Sequence, residues 1–391
     1  MNQHEKPALL PTGLRDLLPP DAGAEAALAE ALLARFAAHG YERVKPPLVE
    51  FEDSLLSGAG AGLADQTFRL MDPASHRMLA LRSDLTPQIA RIAASRLTRS
   101  PRPLRLSYAG EILRVRGSEL RPERQFRQVG FELIGIGAGA ACDAEVILLA
   151  ADALAGLGIE EGLSVDLNAP TLVASLLDDA GLDAGRAEPL REALDRKDAT
   201  AVAEAGGEVA ERLLSLLRAT GPAETALDAL APLALPGAAG RALAALTDIA
   251  ALLREAAPAL PITVDPVEWR GFEYHTGTGF SLFAGGVRTE LGRGGRYSVG
   301  DAGADEEAVG CTLYLDTLLR AAPAPPAPRR IYLPYGTARA DGAALREEGW
   351  ITVAGLAPVE DPAAEAERLG CDHLWQAGGA RPLAAADGEE G

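Results

Sequence analysis

Leucine and alanine recur at helical spacing near the start of the chain and again through its middle. Asp21 is a suitable N-cap for a helix over 22–39, and Gly40 supplies a stop signal. The same spacing predicts further helices over 86–97, 144–157, 171–180 and most of 187–256. Few aromatic residues occur in the last of these segments, which favours a helical insertion or cap on a sheet over a separate binding module.

Apolar runs with turn residues between them predict strands on both sides of this helical middle. The segment 41–52 contains Pro46 and Pro47, and proline cannot donate to an interior ladder, so we expect an edge strand there. The other strands are predicted over 67–71, 76–82, 104–116, 125–136, 262–264, 272–283, 287–291 and 308–313.

A proline-rich stretch near the C-terminus divides the chain. Segment 321–328 contains four prolines and predicts a linker. Beyond it, strand signals at 330–334 and 350–356 alternate with helix signals at 343–348 and 362–369. We therefore predict an α+β domain over 1–320, with a helical insertion at about 165–260, followed by a small α/β unit over 329–391.

The charge balance restricts the classes of function. The formal net charge is −19 and the isoelectric point about 4.8, whereas a protein that grips a phosphate backbone is usually basic. The three cysteines and five histidines are scattered, so we predict no disulfide framework and no metal site. Neither a signal peptide nor a membrane-spanning apolar run is evident, and we expect a soluble cytoplasmic protein with no membrane or nucleic-acid partner.

One segment departs from this acidic balance. Residues 69–127 contain 13 arginines and only 5 acidic residues, whereas the tail from Arg330 contains 5 arginines and 11 acidic residues. The arginines indicate either an anionic ligand or solvated strand faces that pair with acids elsewhere.

Two glycine clusters lie in the segment after the helical middle, at 277–279 and 292–295. No glycine-rich loop is followed by Lys and Ser or Thr, so the evidence for a phosphate-binding loop is weak. Such glycines form hairpin turns, or they mark positions where the backbone approaches a ligand closely. Arg296 and Tyr297 follow at once, which keeps the second interpretation open.

Four segments in order carry a family resemblance. They are Leu81-Arg82-Ser83-Asp84-Leu85-Thr86; Arg114 with Arg124-Gln125-Phe126-Arg127-Gln128-Val129-Gly130-Phe131-Glu132; Arg270-Gly271-Phe272-Glu273-Tyr274-His275-Thr276-Gly277-Thr278; and Gly294-Gly295-Arg296-Tyr297. Together they resemble the catalytic core of histidyl-tRNA synthetase. Gly13-Leu14-Arg15-Asp16 and the strand around Pro47 are similar to that family's N-terminus and first class II motif, which builds a dimer interface. The resemblance covers about 8–320.

This resemblance implies a class II aminoacyl-tRNA synthetase-like antiparallel sheet that binds one histidine. Asp84, Thr86 and Gln128 would hold the α-amino group, because an ammonium in a closed pocket needs acceptors within reach. The other histidine-binding residues that the resemblance implies are Arg114 and Arg270 near the carboxylate, Glu132 at the imidazole, and Tyr274 with His275. In the family, a tyrosine stands where this chain has His275.

The groups that such an enzyme needs for catalysis are altered. The acid expected two residues after Arg114 is Arg116, and the Glu-Arg pair of the third class II motif is Asp316-Thr317. A charged hydrogen bond is worth about 1.5–3 kcal/mol, so loss of the arginine alone could slow activation on the order of a hundredfold. The acidic tail is also shorter than the family's anticodon-binding domain. We therefore expect no catalytic residues, and no cofactor.

This combination is similar to the regulatory subunits of ATP phosphoribosyltransferase, a non-catalytic paralogous family. That resemblance implies feedback inhibition by L-histidine and activation of the short-form catalytic subunit in the first step of histidine biosynthesis. It also implies a homodimer within a hetero-octamer of four regulatory and four catalytic subunits. Two alternatives stay open: a divergent but active histidyl-tRNA synthetase or other class II amino-acid-activating ligase, and a class II-like interaction protein without a ligand.

Overall fold

The computed structural model describes residues 10–118, 121–137, 139–269, 274–300, 306–324 and 327–383. The predicted helices are confirmed, most of them within a few residues of the expected bounds. In chain order they are α1 Asp21–Ala38, α2 Glu52–Leu55, α3 Thr86–Ser95, α4 Ala140–Ala155, α5 Pro170–Asp179, α6 Ala184–Asp195, α7 Ala199–Ala205, α8 Ala210–Arg218, α9 Ala223–Leu230, α10 Gly237–Ala256, α11 Leu315–Ala321, α12 Arg339–Glu347 and α13 Pro362–Arg368. Short 3₁₀ helices cover Gly58–Gln66 and Gly207–Val209.

The strands form three sheets. Their bounds are β1 Glu42–Arg43, β2 Val49–Phe51, β3 Arg69–Met71, β4 Met78–Leu81, β5 Leu104–Leu113, β6 Gln125–Ile136, β7 Ser164–Asn168, β8 Gly221–Pro222, β9 Ile262–Asp265, β10 His275–Phe283, β11 Gly292–Val299, β12 Glu306–Tyr314, β13 Arg330–Leu333, β14 Ile351–Ala354, β15 His373–Gln376 and β16 Gly379–Pro382.

The chain divides into two compact units, 1–323 and 324–391. The first is built on a nine-stranded sheet in the order β1-β5-β6-β12-β11-β10-β7-β9-β8. Most neighbouring strands are antiparallel, as predicted, although β1 pairs with β5 and β7 with β9 in parallel. The second unit holds a four-stranded sheet in the order β14-β13-β15-β16, with β13 parallel to both neighbours.

Alternation along β6 separates the two faces of the large sheet. Val129, Phe131 and Leu133 are buried on the face that α1, α4 and the insertion helices cover. Phe126 and Ile134 are buried on the other face, in a cluster with residues of α3. Because side chains alternate along a strand, the polar residues Gln128 and Glu132 point to this second face. The candidate site therefore lies on the side of α3.

Two strand predictions are wrong. The segment 287–291 is not a strand; the strand is Gly292–Val299, which includes the second glycine cluster. The segment 41–52 is not one edge strand but two short strands in different sheets, β1 and β2. Between them, the buried Arg82 donates through Nη1 to the carbonyl oxygens of Pro46 (3.2 Å) and Pro47 (3.4 Å). The proline carbonyls therefore accept bonds from a guanidinium instead of joining a ladder.

In the part of the chain that the structure describes, none of the helices is long and apolar enough to cross a membrane. Over the same residues, no three acidic, histidine or cysteine side chains come together as a metal site.

Candidate functional site

A cavity of about 280 Å³ opens on the α3 face of the large sheet. Six of the eight residues predicted to bind histidine line it: Asp84, Thr86, Arg114, Glu132, Tyr274 and His275. These residues come from the start of α3, from the end of β5 and from β6 and β10, so the fold brings together segments that are up to 191 positions apart in the chain. Arg270 lies outside the described residues.

Glycines on the inner strands make room for the cavity. Gly310 of β12 stands opposite Glu132 of β6 in the antiparallel register, and a β-carbon at Gly310 would overlap the Glu132 carboxylate. Gly294 and Gly295 of β11 also line the cavity. A β-carbon at Gly294 would meet the ring of Phe280, and one at Gly295 would meet that of His275. The hairpin-turn interpretation is therefore wrong for this cluster, whose glycines lie within β11. Close approach of the backbone to a ligand stays a prediction.

Glu132 is a buried carboxylate surrounded by hydroxyl groups. It is 1% exposed and accepts hydrogen bonds from Tyr108 Oη, Tyr297 Oη and Thr86 Oγ1, each at 3.0 Å. Burial raises its pKa to about 8, although the three hydroxyl donors act in the opposite direction. The carboxyl on the floor of the cavity is therefore costly to ionise at neutral pH.

Asp84 is held at the start of α3 by two contacts. Its Oδ1 accepts from the Thr86 backbone N–H at 2.8 Å, and its Oδ2 accepts from Gln128 Nε2 at 3.0 Å. Gln128 is fully buried, and its own oxygen accepts from the Leu85 N–H at 3.1 Å. The structure thus places Gln128 behind Asp84 and not on the cavity wall. From this position Gln128 orients the Asp84 carboxylate.

The aromatic wall is formed by Tyr274, His275 and Tyr297. The rings of Tyr274 and His275 stack at 4.4 Å with an interplanar angle of 25°, and Tyr274 meets Tyr297 edge-on at 6.0 Å. The imidazole that replaces the family's tyrosine is only 7% exposed. His275 therefore belongs to the wall, and its side chain helps to shape the cavity.

Sequence reasoning missed Arg293, Thr312 and Tyr314 of this cavity, and it named Tyr297 only as part of a motif, without a binding role. Arg293 forms an ion pair with Glu290 at 2.5 Å, whereas Arg114 has no acidic partner among the described residues and donates to the Ser83 carbonyl at 3.3 Å. Once β11 is correctly placed, the alternation along β11 and β12 is the signal that would have found them.

A second cavity of about 370 Å³ adjoins the first and shares Gln66, Arg114 and Arg293 with it. Arg116 lies on its exposed edge. Arg121, also in its lining, reaches the residue that replaces the third-motif arginine. Its Nη2 lies 3.1 Å from Thr317 Oγ1 and its Nε 3.2 Å from Asp316 Oδ2.

The Arg121 guanidinium also lies 3.9 Å above the ring of Tyr314. Its side chain is 9% exposed. A cation that is stacked, paired and buried in this way has few free donors for a ligand. Arg121 thus lies next to Thr317, but it does not replace the exposed cationic group of the third-motif arginine.

Comparison with known proteins supports the family that these motifs indicate. The family model for histidyl-tRNA synthetase matches residues 13–318. Two ATP phosphoribosyltransferase regulatory subunits, from Rhodospirillum centenum and Paramagnetospirillum magneticum, are 57% and 52% identical to this chain. The alignments cover 95% of the chain and 95% and 97% of those proteins. A crystal structure described as an ATP phosphoribosyltransferase regulatory subunit/histidyl-tRNA synthetase from Bacillus halodurans superposes with a TM-score of 0.78 at 26% identity, covering 92% of this chain and 96% of that one.

The fold and the polar cavity on its sheet thus define a class II aminoacyl-tRNA synthetase-like protein. Identity above 50% to two regulatory subunits along nearly the whole chain identifies the family within this class. The chain belongs to the ATP phosphoribosyltransferase regulatory subunits, whose name places them in histidine biosynthesis.

Proposed function

We propose that the chain binds L-histidine in the first cavity and transmits its presence to a short-form ATP phosphoribosyltransferase catalytic subunit. In this proposal the chain activates that subunit when histidine is scarce and inhibits it when histidine is abundant. The regulatory subunits form a homodimer within a hetero-octamer with four catalytic subunits. The chain has no catalytic activity of its own.

The observation that carries the proposal is the arrangement of charge around the cavity. The Asp84 carboxylate suits an ammonium group, and Arg114, without an acidic partner among the described residues, suits a carboxylate. Glu132, a buried carboxylate that accepts from three hydroxyl groups and has a further lone pair to offer, suits an imidazole N–H. Together these three groups complement the three polar parts of histidine.

The altered motifs support a regulatory function over a catalytic one. Phosphate groups are best met by planar guanidinium groups with free donors. At the third motif, Thr317 has no guanidinium group, and Arg121 beside it forms an ion pair with Asp316 and stacks on Tyr314. Arg116 replaces the acid that would complement Arg114 in the second motif. These features disfavour formation of an adenylate.

The experiment is the activity of the short catalytic subunit from the same genome, measured with and without this chain and then with added histidine. We expect activity to depend on the chain and to fall as histidine is added. Gln128→Ala should weaken histidine inhibition, because Asp84 loses the hydrogen bond from Gln128 Nε2 that orients its carboxylate.

Histidine-dependent exchange between ATP and pyrophosphate is the companion measurement. Exchange by this chain, together with no effect on the catalytic subunit, would refute the proposal in favour of an active class II ligase. A flat calorimetric titration with histidine would instead favour an interaction protein without this ligand.

A further inference from the structure

A groove with an apolar floor crosses the outer face of α4 in the first unit. It is lined by α4, by the C-terminal end of α10 and by His39 after α1, and its volume is about 700 Å³. Leu148, Leu149 and Leu252 provide its large apolar side chains, and Leu252 is 36% exposed. From Ala141 to Asp152 the groove follows three turns of α4, roughly 16 Å at 1.5 Å per residue.

The rim of this groove is acidic. Glu145, Asp152 and Glu255 line it, and none of the described residues that line it is a lysine or arginine. Glu145 forms an ion pair with Arg105 at 2.8 Å. Asp152 and Glu255 form no ion pair among the described residues, and both are exposed. An apolar floor with an acidic border favours an apolar segment flanked by basic residues.

We propose that this groove docks an amphipathic helix of the catalytic subunit, one whose apolar stripe is bordered by lysine or arginine. The proposal rests on the proposed function, which supplies that partner. A second copy of this chain is a poor occupant, because its net charge of −19 would bring like charge to an acidic rim. A helix of about three turns matches the length of the groove, and its apolar anchors would pack on the leucines of the floor.

The groove is also tied to the wall of the first cavity. Arg296 of β11 pairs with Asp143 of α4 at 2.5 Å and donates to the Gly139 carbonyl at 2.9 Å, where α4 begins. The next residue, Tyr297, bonds to Glu132 in the cavity. A partner that binds in the groove therefore contacts α4, and the start of α4 is held by β11, a strand of the candidate histidine site.

The test compares two substitutions by sedimentation velocity of the chain with the purified short catalytic subunit. Leu252→Glu places a charge on the groove floor, and we expect it to weaken the complex at least tenfold. The control is Ile351→Glu in the second unit, at a side chain with a similar exposed fraction of 41%. It should leave the complex unchanged, and histidine affinity, measured by calorimetry, should be intact in both variants.

Unchanged association of Leu252→Glu, or equal weakening by both variants, would overturn the groove as the docking site. If the unmodified chain does not associate with the catalytic subunit at all, the proposed function fails and the groove proposal fails with it. Because the rim is charged, the Asp152→Lys, Glu255→Lys double variant should also weaken the complex, and added salt should reduce this difference. A complex strengthened by the charge reversal would contradict a basic partner segment.

Discussion

Replacing the Glu132 carboxylate with an amide should change stability and histidine binding in opposite directions. Glu132→Gln keeps the size of the side chain and its oxygen acceptor but removes the charge. In the free protein the carboxylate is buried at 1% exposure and only partly compensated by three hydroxyl groups. The substitution therefore removes a group whose burial makes it costly to ionise.

The magnitude follows from the pKa of Glu132, raised from 4.5 to about 8 chiefly by burial. A carboxyl whose pKa is raised in the folded state stabilises the fold fully below pH 4.5. That contribution is lost as the pH rises toward 8. At 1.36 kcal/mol per pH unit, the loss is on the order of 5 kcal/mol across this interval. Glu132→Gln has no such loss, so its stability relative to the unmodified chain should increase with pH.

The assay is urea unfolding of the histidine-free protein between pH 5 and 9, with Glu30→Gln as control. Glu30 is a surface residue whose side chain is 62% exposed, and its substitution should follow the unmodified chain at every pH. Calorimetry at pH 8 should show that Glu132→Gln weakens histidine binding about tenfold or more, because a neutral acceptor replaces a charged one.

A stability difference between Glu132→Gln and the unmodified chain that stays constant from pH 5 to 9 would refute the reasoning. It would mean that the carboxylate pays no burial cost, and that the cavity floor is wetter than its contacts indicate. Undiminished histidine affinity in the same variant would remove Glu132 from the binding site.

Two further substitutions test the shape of the site and the altered third motif. Gly310→Ala should cost about 1–3 kcal/mol of unfolding free energy and abolish histidine binding in calorimetry, because its β-carbon overlaps the Glu132 carboxylate. The control is Gly23→Ala, in open space on α1, which should be neutral or stabilising. Equal effects of the two substitutions would contradict the steric argument. Thr317→Arg should lower the melting temperature, because the new guanidinium meets that of Arg121. ATP–pyrophosphate exchange should stay undetectable even when Thr317→Arg is combined with Arg116→Glu. Exchange by the double variant would show that these two positions alone block activation.

The sequence predicted the order and type of most elements because their signals are local. The helix spacing of α1 and the proline-rich stretch need no tertiary information. The strand Gly292–Val299 was missed because its glycines lower strand propensity. The reason for two of these glycines lies on the neighbouring strand β10, where Phe280 and His275 occupy the space that side chains at Gly294 and Gly295 would fill. The structure thus shows a long-range packing requirement at this strand, which no local pattern reveals.

The candidate site was predictable as a set of residues but not as an arrangement. Asp84 and Glu132 could be named from motif order, yet the motif gives no sign that Gln128 lies behind Asp84. Nor could spacing show that Arg121 reaches Thr317 across 196 positions. Such contacts depend on how a loop returns over the sheet, which is a property of the tertiary fold.

The proposed feedback needs histidine to bind two states of the assembly with different affinity, since a ligand shifts an equilibrium only by its differential binding. The two neighbouring residues Arg296 and Tyr297 offer a physical basis for that difference. Tyr297 donates to Glu132 in the cavity, whereas Arg296 holds the start of α4. In the proposed complex the imidazole N–H would compete for the Glu132 oxygen that accepts from Tyr297. A displacement of Tyr297 would then act on β11, the strand that holds the start of α4 beside the proposed docking groove. A coupling of about 1–3 kcal/mol, which is typical of allosteric proteins, is within the range of one charged hydrogen bond gained or lost between Arg296 and the start of α4.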